Sequence, residues 1–316
     1  MIQLKHMLNS ICFFLLKINI LWYSICGDSM DGILVVNKQS GYTSRDVVNE
    51  VCKILNTKKI GHTGTLDPIA KGVLVLCIGK ATKLVEILTA DEKEYIAEAT
   101  LGVKTDTLDN TGNIIEEKSV TVTKQQIIDV LNSMIGNYNQ EVPIYSAVKI
   151  DGKKLYEYAR NNISVELPKR NIEIKKIELV DDIKYIDNKV IFKFKCLVSK
   201  GTYIRSLIND IAKKLNTIGI MSDLIRIKQG HFSIEQSYTL NNIKNNEFKI
   251  INMLDCLKDY LVIEVDGYLN SRIKNGSILQ NRYDKDTIVF KYNESLIAIY
   301  KVYEKDNTKI KPWKIF

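Results

Sequence analysis

Two almost continuously apolar segments constrain the fold most, GILVVNK at 32–38 and GVLVLCIG at 72–79. Short apolar runs bounded by glycines or polar turns are typical of strands that are buried on both faces. Further strand-like and helix-like segments follow, without the regular strand–helix alternation of a parallel sheet. The pattern therefore predicts an α+β fold, with a mixed, largely antiparallel sheet and flanking helices.

The N-terminal segment 1–29 differs from the rest of the chain. Its apolar stretch ICFFLLKINILWYSIC is interrupted by Lys17 and Asn19, whereas a membrane-spanning helix needs about 20 continuous apolar residues. A signal peptide is one interpretation, although no clean cleavage site follows. We favour the other interpretation, in which Met30 is the native start and the preceding extension is not part of the native protein.

The sequence pattern also changes towards the C-terminus. From residue 249, short strand patterns alternate with polar turns, as in YLVIEVDG, DTIVFKYNES and LIAIYKVYEKD. Lysines and aromatic residues are frequent there, which suits a nucleic-acid contact surface as well as a plain structural module. The predicted domains are a large one at 30–248 and a small β-rich one at 249–316.

Charge and composition limit the partners and cofactors. A formal net charge of +8 indicates an anionic partner, but charge alone does not separate RNA from DNA or a membrane surface. The six cysteines are scattered without a CxxC pair, and the chain has only three histidines. A structural zinc site needs clustered ligands, so we expect no metal. Scattered free cysteines favour the reducing cytoplasm.

The loop in GHTGTLDPIAKGVL (61–74) holds one carboxylate, Asp67, between Leu66 and Pro68. Aspartate is a common turn residue because its side chain bonds nearby backbone N–H groups. A carboxylate in a stiff loop also suits a nucleophile or a general base. The loop alone leaves both roles open.

Two other enzyme classes fit the sequence poorly. TGTL resembles part of the aspartyl-phosphate motif DKTGT, but the nucleophilic aspartate of that motif is replaced by Gly61. A Ser–His–Asp triad would have to use one of the three histidines, and no nucleophile-elbow motif supports it.

A second suggestive segment is SKGTYIRSLINDIAKKL (199–215), in which Tyr203 and Arg205 flank Ile204 at the start of a predicted helix. If the chain is still extended there, alternation directs both side chains to one face. An arginine can orient a carboxylate and lower its pKa, and a tyrosine can lie against a flat ring. The alternative is a surface arginine beside a half-buried tyrosine.

Five motifs occur in order between residues 30 and 235: GHTGTLDPIAKGVL, KEYIAEATLGVKTDTLDNTG, PIYSAVKIDGKKLYEYAR, SKGTYIRSLINDIAKKL and SDLIRIKQGHF. In this order and spacing they resemble the TruB family of bacterial tRNA pseudouridine synthases. The resemblance implies a cofactor-free isomerase that converts a uridine in the T-arm loop of tRNA, at position 55, to pseudouridine. It also implies a PUA-like C-terminal RNA-binding module, and a cytoplasmic monomer with no obligatory protein partner and no membrane contact.

The same resemblance assigns the site residues. It makes Asp67 the catalytic carboxylate, Arg205 its partner, and Tyr95 the tyrosine that packs on the base and is a candidate for proton transfer at C5. The implied substrate-binding residues are His62, Tyr95, Tyr203, Leu224 and Lys38. Attack at C1′, addition at C6 and a glycal intermediate all remain open as routes for breaking the glycosidic bond.

Two further functions stay open beside this one. The chain could be a tRNA-binding folding helper that does not require catalysis, or a guide-RNA-dependent relative of the family. The combination of Asp67, Tyr95 and Arg205 favours an active enzyme.

Overall fold

The computed structural model describes residues 30–89 and 92–316, so the predicted extension 1–29 lies outside the described residues. The strands up to residue 233 are β1 (Gly32–Lys38), β2 (Ile60–His62), β3 (Lys71–Ile78), β4 (Lys93–Leu101), β5 (Val103–Thr105), β6 (Ile114–Glu117), β7 (Gly136–Glu141), β8 (Lys149–Ile150), β9 (Lys153–Lys154), β10 (Lys169–Ile186), β11 (Lys189–Val198), β12 (Gly219–Gln229) and β13 (Phe232–Ser233).

Nine of the described strands form one sheet with the central order β1-β3-β12-β4-β11-β10-β7; β2 pairs with β3 and β13 with β12. The β3–β12 pair is parallel, and the other pairs in this sheet are antiparallel. The strand pairs β5–β6 and β8–β9 form two small hairpin sheets. The predicted mixed, largely antiparallel sheet is confirmed.

Helices pack beside this sheet and beside the C-terminal module. The α-helices are α1 (Ser44–Ile54), α2 (Val85–Thr89), α3 (Lys124–Ser133), α4 (Leu155–Arg160), α5 (Ile204–Lys214), α6 (Leu240–Lys244) and α7 (Gly267–Lys274), and 3-10 turns span Gly79–Leu84, Ile234–Gln236 and Leu254–Leu257. Helix α1 begins with a capping box, since Thr43 stands three residues before Asp46, which is the spacing of that motif. Thr43 Oγ1 accepts from the Asp46 N–H, and the Asp46 carboxylate accepts from the Thr43 N–H.

Strands β1 and β3 are apolar throughout because both of their faces are buried. On β1, Leu34 and Val36 belong to the main core, whereas Ile33 and Val35 belong to a second core on the other face. Strand β3 alternates between the two cores in the same way. Side chains alternate across a strand, so two covering layers require a continuous apolar run.

The second core is completed by the C-terminal module. Its strands are β14 (Leu261–Glu264), β15 (Leu279–Gln280), β16 (Thr287–Tyr292), β17 (Ser295–Tyr303) and β18 (Asp306–Ile315), in the order β14-β16-β17-β18-β15. Val289, Leu296 and Ile299 pack into the second core. The domain division at 248/249 stays a prediction, and Ile251 on the C-terminal side of it still forms a bridge with Ile33 of β1.

Within the described part of the chain, no helix combines the length and the apolar character that a membrane crossing requires.

Gly72 lies where β3 passes closest to β12. Its φ is +98°, and a Cβ there would lie 2.2 Å from the carbonyl oxygen of Arg226. We expect Gly72→Ala to lower the free energy of unfolding by roughly 2–6 kcal/mol, because backbone strain and overpacking each cost about 1–3 kcal/mol. Urea unfolding followed by circular dichroism measures this loss.

The matched control is Gly136→Ala. Gly136 has a similar φ of +111°, but a Cβ there would meet nothing within 4 Å. It should lose only the strain contribution, roughly 1–3 kcal/mol. Equal losses of unfolding free energy in the two variants would show that the close approach of β3 to β12 does not add to the cost of Gly72→Ala.

Candidate active site

The loop between β2 and β3 carries Asp67 and is held from below by buried polar groups. Ser44, the first residue of α1, accepts a hydrogen bond from the Leu66 N–H at 2.8 Å, and its hydroxyl donates to the Leu66 carbonyl at 3.2 Å. Both residues are buried. The residue directly before Asp67 is therefore fixed to the helix.

Lys38 supports the same loop from the end of β1. Its side chain is 1% exposed, and its ammonium donates to the carbonyls of Gln39 at 3.1 Å, Pro68 at 3.2 Å and Ala70 at 2.6 Å. Burial lowers the pKa of Lys38 to about 8, and the nearby Asp67 carboxylate partly opposes this. The structure thus places Lys38 beneath the loop, where it binds backbone carbonyls.

Asp67 forms an ion pair with Arg205, which lies in the first turn of α5. Arg205 Nε lies 2.9 Å from Asp67 Oδ2, and the side chains are 6% and 36% exposed. The two outer nitrogens of Arg205 donate to the carbonyls of Thr107 and Tyr145, each at 3.0 Å. Three directed contacts use the planar fork of a guanidinium, which a lysine could not reproduce. They hold Arg205 in place while the Asp67 side chain stays partly exposed to the cleft.

Asp109 forms a second, more distant contact to the same arginine and was not predicted as a site residue. Its Oδ2 lies 3.9 Å from Arg205 Nη1, and its Oδ1 accepts from the Thr107 hydroxyl and from the N–H and hydroxyl of Thr111. The signal available in the sequence was its place in KEYIAEATLGVKTDTLDNTG. Only the fold brings that motif against α5.

The ion pair lies in a cleft of about 630 Å³. Five predicted site residues line it: Asp67, Tyr95, Tyr203, Arg205 and Leu224. Its wall also contains four cations that sequence reasoning missed: Lys93, Arg170, Lys200 and Arg226. The other two predicted residues, Lys38 and His62, are not part of the wall.

Tyr95 and Tyr203 enter the cleft from different elements. Tyr95 on β4 is 6% exposed, and burial raises the pKa of its hydroxyl, while the Arg226 guanidinium beside it acts in the opposite direction. Tyr203 is the N-cap of α5; its N–H donates to Gln140 Oε1 at 2.8 Å and its carbonyl accepts from Gln140 Nε2 at 3.1 Å. The helix begins at Ile204, so strand alternation does not apply beyond Tyr203.

His62 ends strand β2, outside the wall of the cleft. Its Nδ1 is buried and has no hydrogen-bond partner. Burial lowers the pKa of the ring, and the positive charges of Arg45 and Arg226 lower it further. The ring is therefore kept neutral at physiological pH.

Among the described residues, no cluster of three His, Cys, Asp or Glu side chains could hold a metal ion. The expectation of a metal-free and cofactor-free enzyme stays a prediction.

Comparison with known proteins identifies the family. The model of the TruB family pseudouridylate synthase N-terminal domain matches residues 52–204. A tRNA pseudouridine synthase B of Caldanaerobacter subterraneus is 41% identical, covering 91% of this chain and 100% of that protein. The one of Staphylococcus aureus is 42% identical, covering 90% and 99%. The chain belongs to the TruB family.

Solved structures of the same fold agree with this membership. A chain from an H/ACA ribonucleoprotein bound to a substrate RNA with 2′-deoxyuridine matches at a TM-score of 0.65 and 23% identity, covering 90% of this chain and 84% of that one. A chain from an archaeal box H/ACA Nop10–Cbf5 complex matches at 0.65 and 22% identity, covering 92% and 88%. The predicted family, fold class and enzyme class, a pseudouridine synthase and thus an isomerase, are confirmed.

The buried ammonium of Lys38 predicts a pH effect. Below about pH 8 it is charged and donates to two loop carbonyls, those of Pro68 and Ala70; above that pH it loses its charge, and the loop loosens. We expect kcat to fall on the alkaline side with a midpoint near pH 8. We expect Lys38→Met to have a lower kcat at every pH and to lack this alkaline limb, the fall of kcat near pH 8. The measurement is the pH–rate profile of tritium release from uracil C5.

Lys71→Met provides the control, because Lys71 pairs with Asp223 at a half-exposed position and does not contact the loop carbonyls. It should keep the alkaline limb. A limb that persists in Lys38→Met would assign the titration to another group.

Proposed function

We propose that this chain converts a uridine in the T-arm loop of tRNA, at position 55, to pseudouridine, with Asp67 as the essential carboxylate. The observation that supports this most is the Asp67–Arg205 ion pair at 2.9 Å, in a cleft that two tyrosines and four cations line. The relatives that it matches over nine-tenths of its length are tRNA pseudouridine synthases.

The reaction breaks the C1′–N1 bond, turns the uracil and rejoins it through C5. Asp67 can attack C1′, add to C6, or assist glycal formation by taking a proton from C2′, and its partly exposed side chain suits each route. Arg205 orients the carboxylate through the contact of its Nε with Asp67 Oδ2 at 2.9 Å. A fixed carboxylate saves the entropy of positioning it during the reaction.

The target uridine must leave its stack to reach Asp67, which costs a few kcal/mol. Stacking on an aromatic side chain is worth about 1–3 kcal/mol per base and offsets part of this cost. Tyr95 and Tyr203 line the same cleft as Asp67 and are the candidates for that contact. Leu224, which is 5% exposed, adds an apolar surface for the turned ring.

The choice of the T arm comes from the family, because RNA of this kind is selected by shape and by its unstacked loop. We further propose that the enzyme acts in the cytoplasm as a monomer without an obligatory protein partner. Activity of the purified chain on a bare tRNA transcript tests whether another protein is required. It also separates the proposed enzyme from a guide-dependent one.

Asp67→Asn is tested on a tRNA transcript labelled with tritium at uracil C5. Rejoining through C5 must release that tritium to water. We expect release by the wild-type chain, release at least about 1,000-fold slower by the variant, and RNA binding within about threefold of wild type. A transcript with cytidine at the target position should release nothing from that site.

Asp129→Asn, on the exposed side of α3, is the matched control and should keep the wild-type rate. Wild-type activity of Asp67→Asn would refute the proposed role of the carboxylate. If neither chain released tritium and both bound tRNA tightly, the folding-helper function would replace the enzyme.

Two exposed cations at the rim of the cleft are expected to bind RNA phosphates. Arg170 and Lys200 are exposed and line the cleft, where they can contact phosphates. Each phosphate contact contributes about one unit to the slope of log K against log salt. Arg170→Ala and Lys200→Ala should each reduce that slope by about one unit and weaken binding at low salt, with kcat nearly unchanged.

Filter binding at several salt concentrations measures both slopes. Lys124→Ala removes an equally exposed charge, which pairs with Asp182 away from the cleft wall, and should leave the slope unchanged. Equal effects of all three variants would indicate general charge attraction instead of contacts at the cleft.

A further inference from the structure

Arg226 is a buried cation in the wall of the cleft that the site as described so far does not use. Its side chain is 1% exposed. Nε donates to the Val73 carbonyl at 2.7 Å, and Nη2 donates to the Gly64 carbonyl at 3.0 Å. It thereby joins β12 to β3 and to the loop that carries Asp67.

Sheet geometry places Arg226 beside Tyr95. The two residues are direct partners in the antiparallel β12–β4 pair, and cross-strand partners project from the same face of a sheet. Both side chains line the cleft. Burial raises the pKa of the Tyr95 hydroxyl, and the nearby charge of Arg226 acts in the opposite direction, in favour of the phenolate.

Burying a charge against neutral carbonyls is costly. Its field reaches other groups near the loop, since it lowers the pKa values of Lys38 and His62. Fixed cations in a closed site stabilise negative charge that develops during a reaction, and they need no reorganisation at that moment. Tyr95 is the adjacent group that can acquire such a charge.

We propose that Arg226 is a positioning residue that stabilises the phenolate of Tyr95 while Tyr95 moves the proton from C5. This inference rests on the proposed function, because the C5 proton is lost only if the base is rejoined through C5.

The proton balance of the reaction is compatible with this role. One proton leaves C5 and one arrives at N1, so the net reaction consumes neither acid nor base. The Tyr95 phenol gives its proton to the departing uracil, which becomes the proton on N1. After the C5–C1′ bond has formed, the phenolate takes the C5 proton and the phenol is restored. The negative charge on Tyr95 exists only between these two transfers, beside Arg226.

The test uses the full chain and tRNA transcripts that carry hydrogen or deuterium at C5 of the target uridine. Arg226→Gln keeps an N–H donor but removes the charge, and Arg226→Lys keeps the charge in a different geometry. For Arg226→Gln we expect kcat to fall about 10- to 100-fold and KM to stay within about twofold. The C5-deuterium isotope effect on kcat should fall below the wild-type value, because formation of the phenolate then limits the rate. Arg226→Lys should retain more of the rate.

Chemical rescue separates this role from simple support of the loop. Placing 3-fluorotyrosine at position 95 makes the phenol more acidic, so its phenolate depends less on the cation. It should raise kcat of Arg226→Gln several-fold and should not raise kcat of the wild type. Ser44→Ala loosens the loop at Leu66 without changing a charge near Tyr95. That control should lower kcat with no fall in the isotope effect and no rescue.

Circular dichroism decides which variants are folded. Rescue is measured within Arg226→Gln, and Arg226→Lys, which keeps the charge, should show little rescue. A smaller isotope effect together with rescue supports the proposal. An unchanged isotope effect without rescue, as in Ser44→Ala, would overturn it and leave Arg226 as a support of the loop. Absence of tritium release from the wild-type chain would instead refute the proposed function itself.

Discussion

The ion pair between Asp67 and Arg205 requires a carboxylate that is partly exposed and yet stationary. A free loop cannot meet these conditions, because each ordered residue costs about 1–2 kcal/mol of backbone entropy. The surrounding structure supplies the restraint from several sides. Ser44 fixes the loop to α1, the Lys38 ammonium binds its carbonyls, and Arg226 binds the Gly64 carbonyl. Arg205 is in turn held by carbonyls at 3.0 Å.

These restraints exist because β1 and β3 are buried on both faces. The main core and the C-terminal module cover opposite sides of the two strands, so the loop that carries Asp67 enters a strand that is packed on both faces. The same arrangement puts Lys38, Arg205 and Arg226 around one carboxylate. That concentration of positive charge in a buried cleft suits an anionic substrate and a reaction with transient negative charge.

Much of the site could be predicted from the sequence, because each motif is local. Asp67, Tyr95, Tyr203 and Arg205 lie in short segments that resemble one family, and all four line the cleft. The residues that sequence reasoning missed act through distant partners. Asp109 reaches Arg205 across 96 positions of the chain, Gln140 clamps Tyr203 from 63 positions away, and Arg226 bonds Val73 from 153 positions away. No pattern within one segment indicates such pairs.

The sequence by itself determined the pattern of strands and helices, the capped start of α1 at Thr43, the family and the identity of the candidate carboxylate. These follow from side-chain periodicity and from short-range hydrogen bonding. Only the tertiary structure decided the place of Lys38, which lies beneath the loop with its side chain 1% exposed, and the pairing of Arg226 with Tyr95. Burial and cross-strand register depend on which strands become neighbours, and that depends on the free energy of packing the whole sheet.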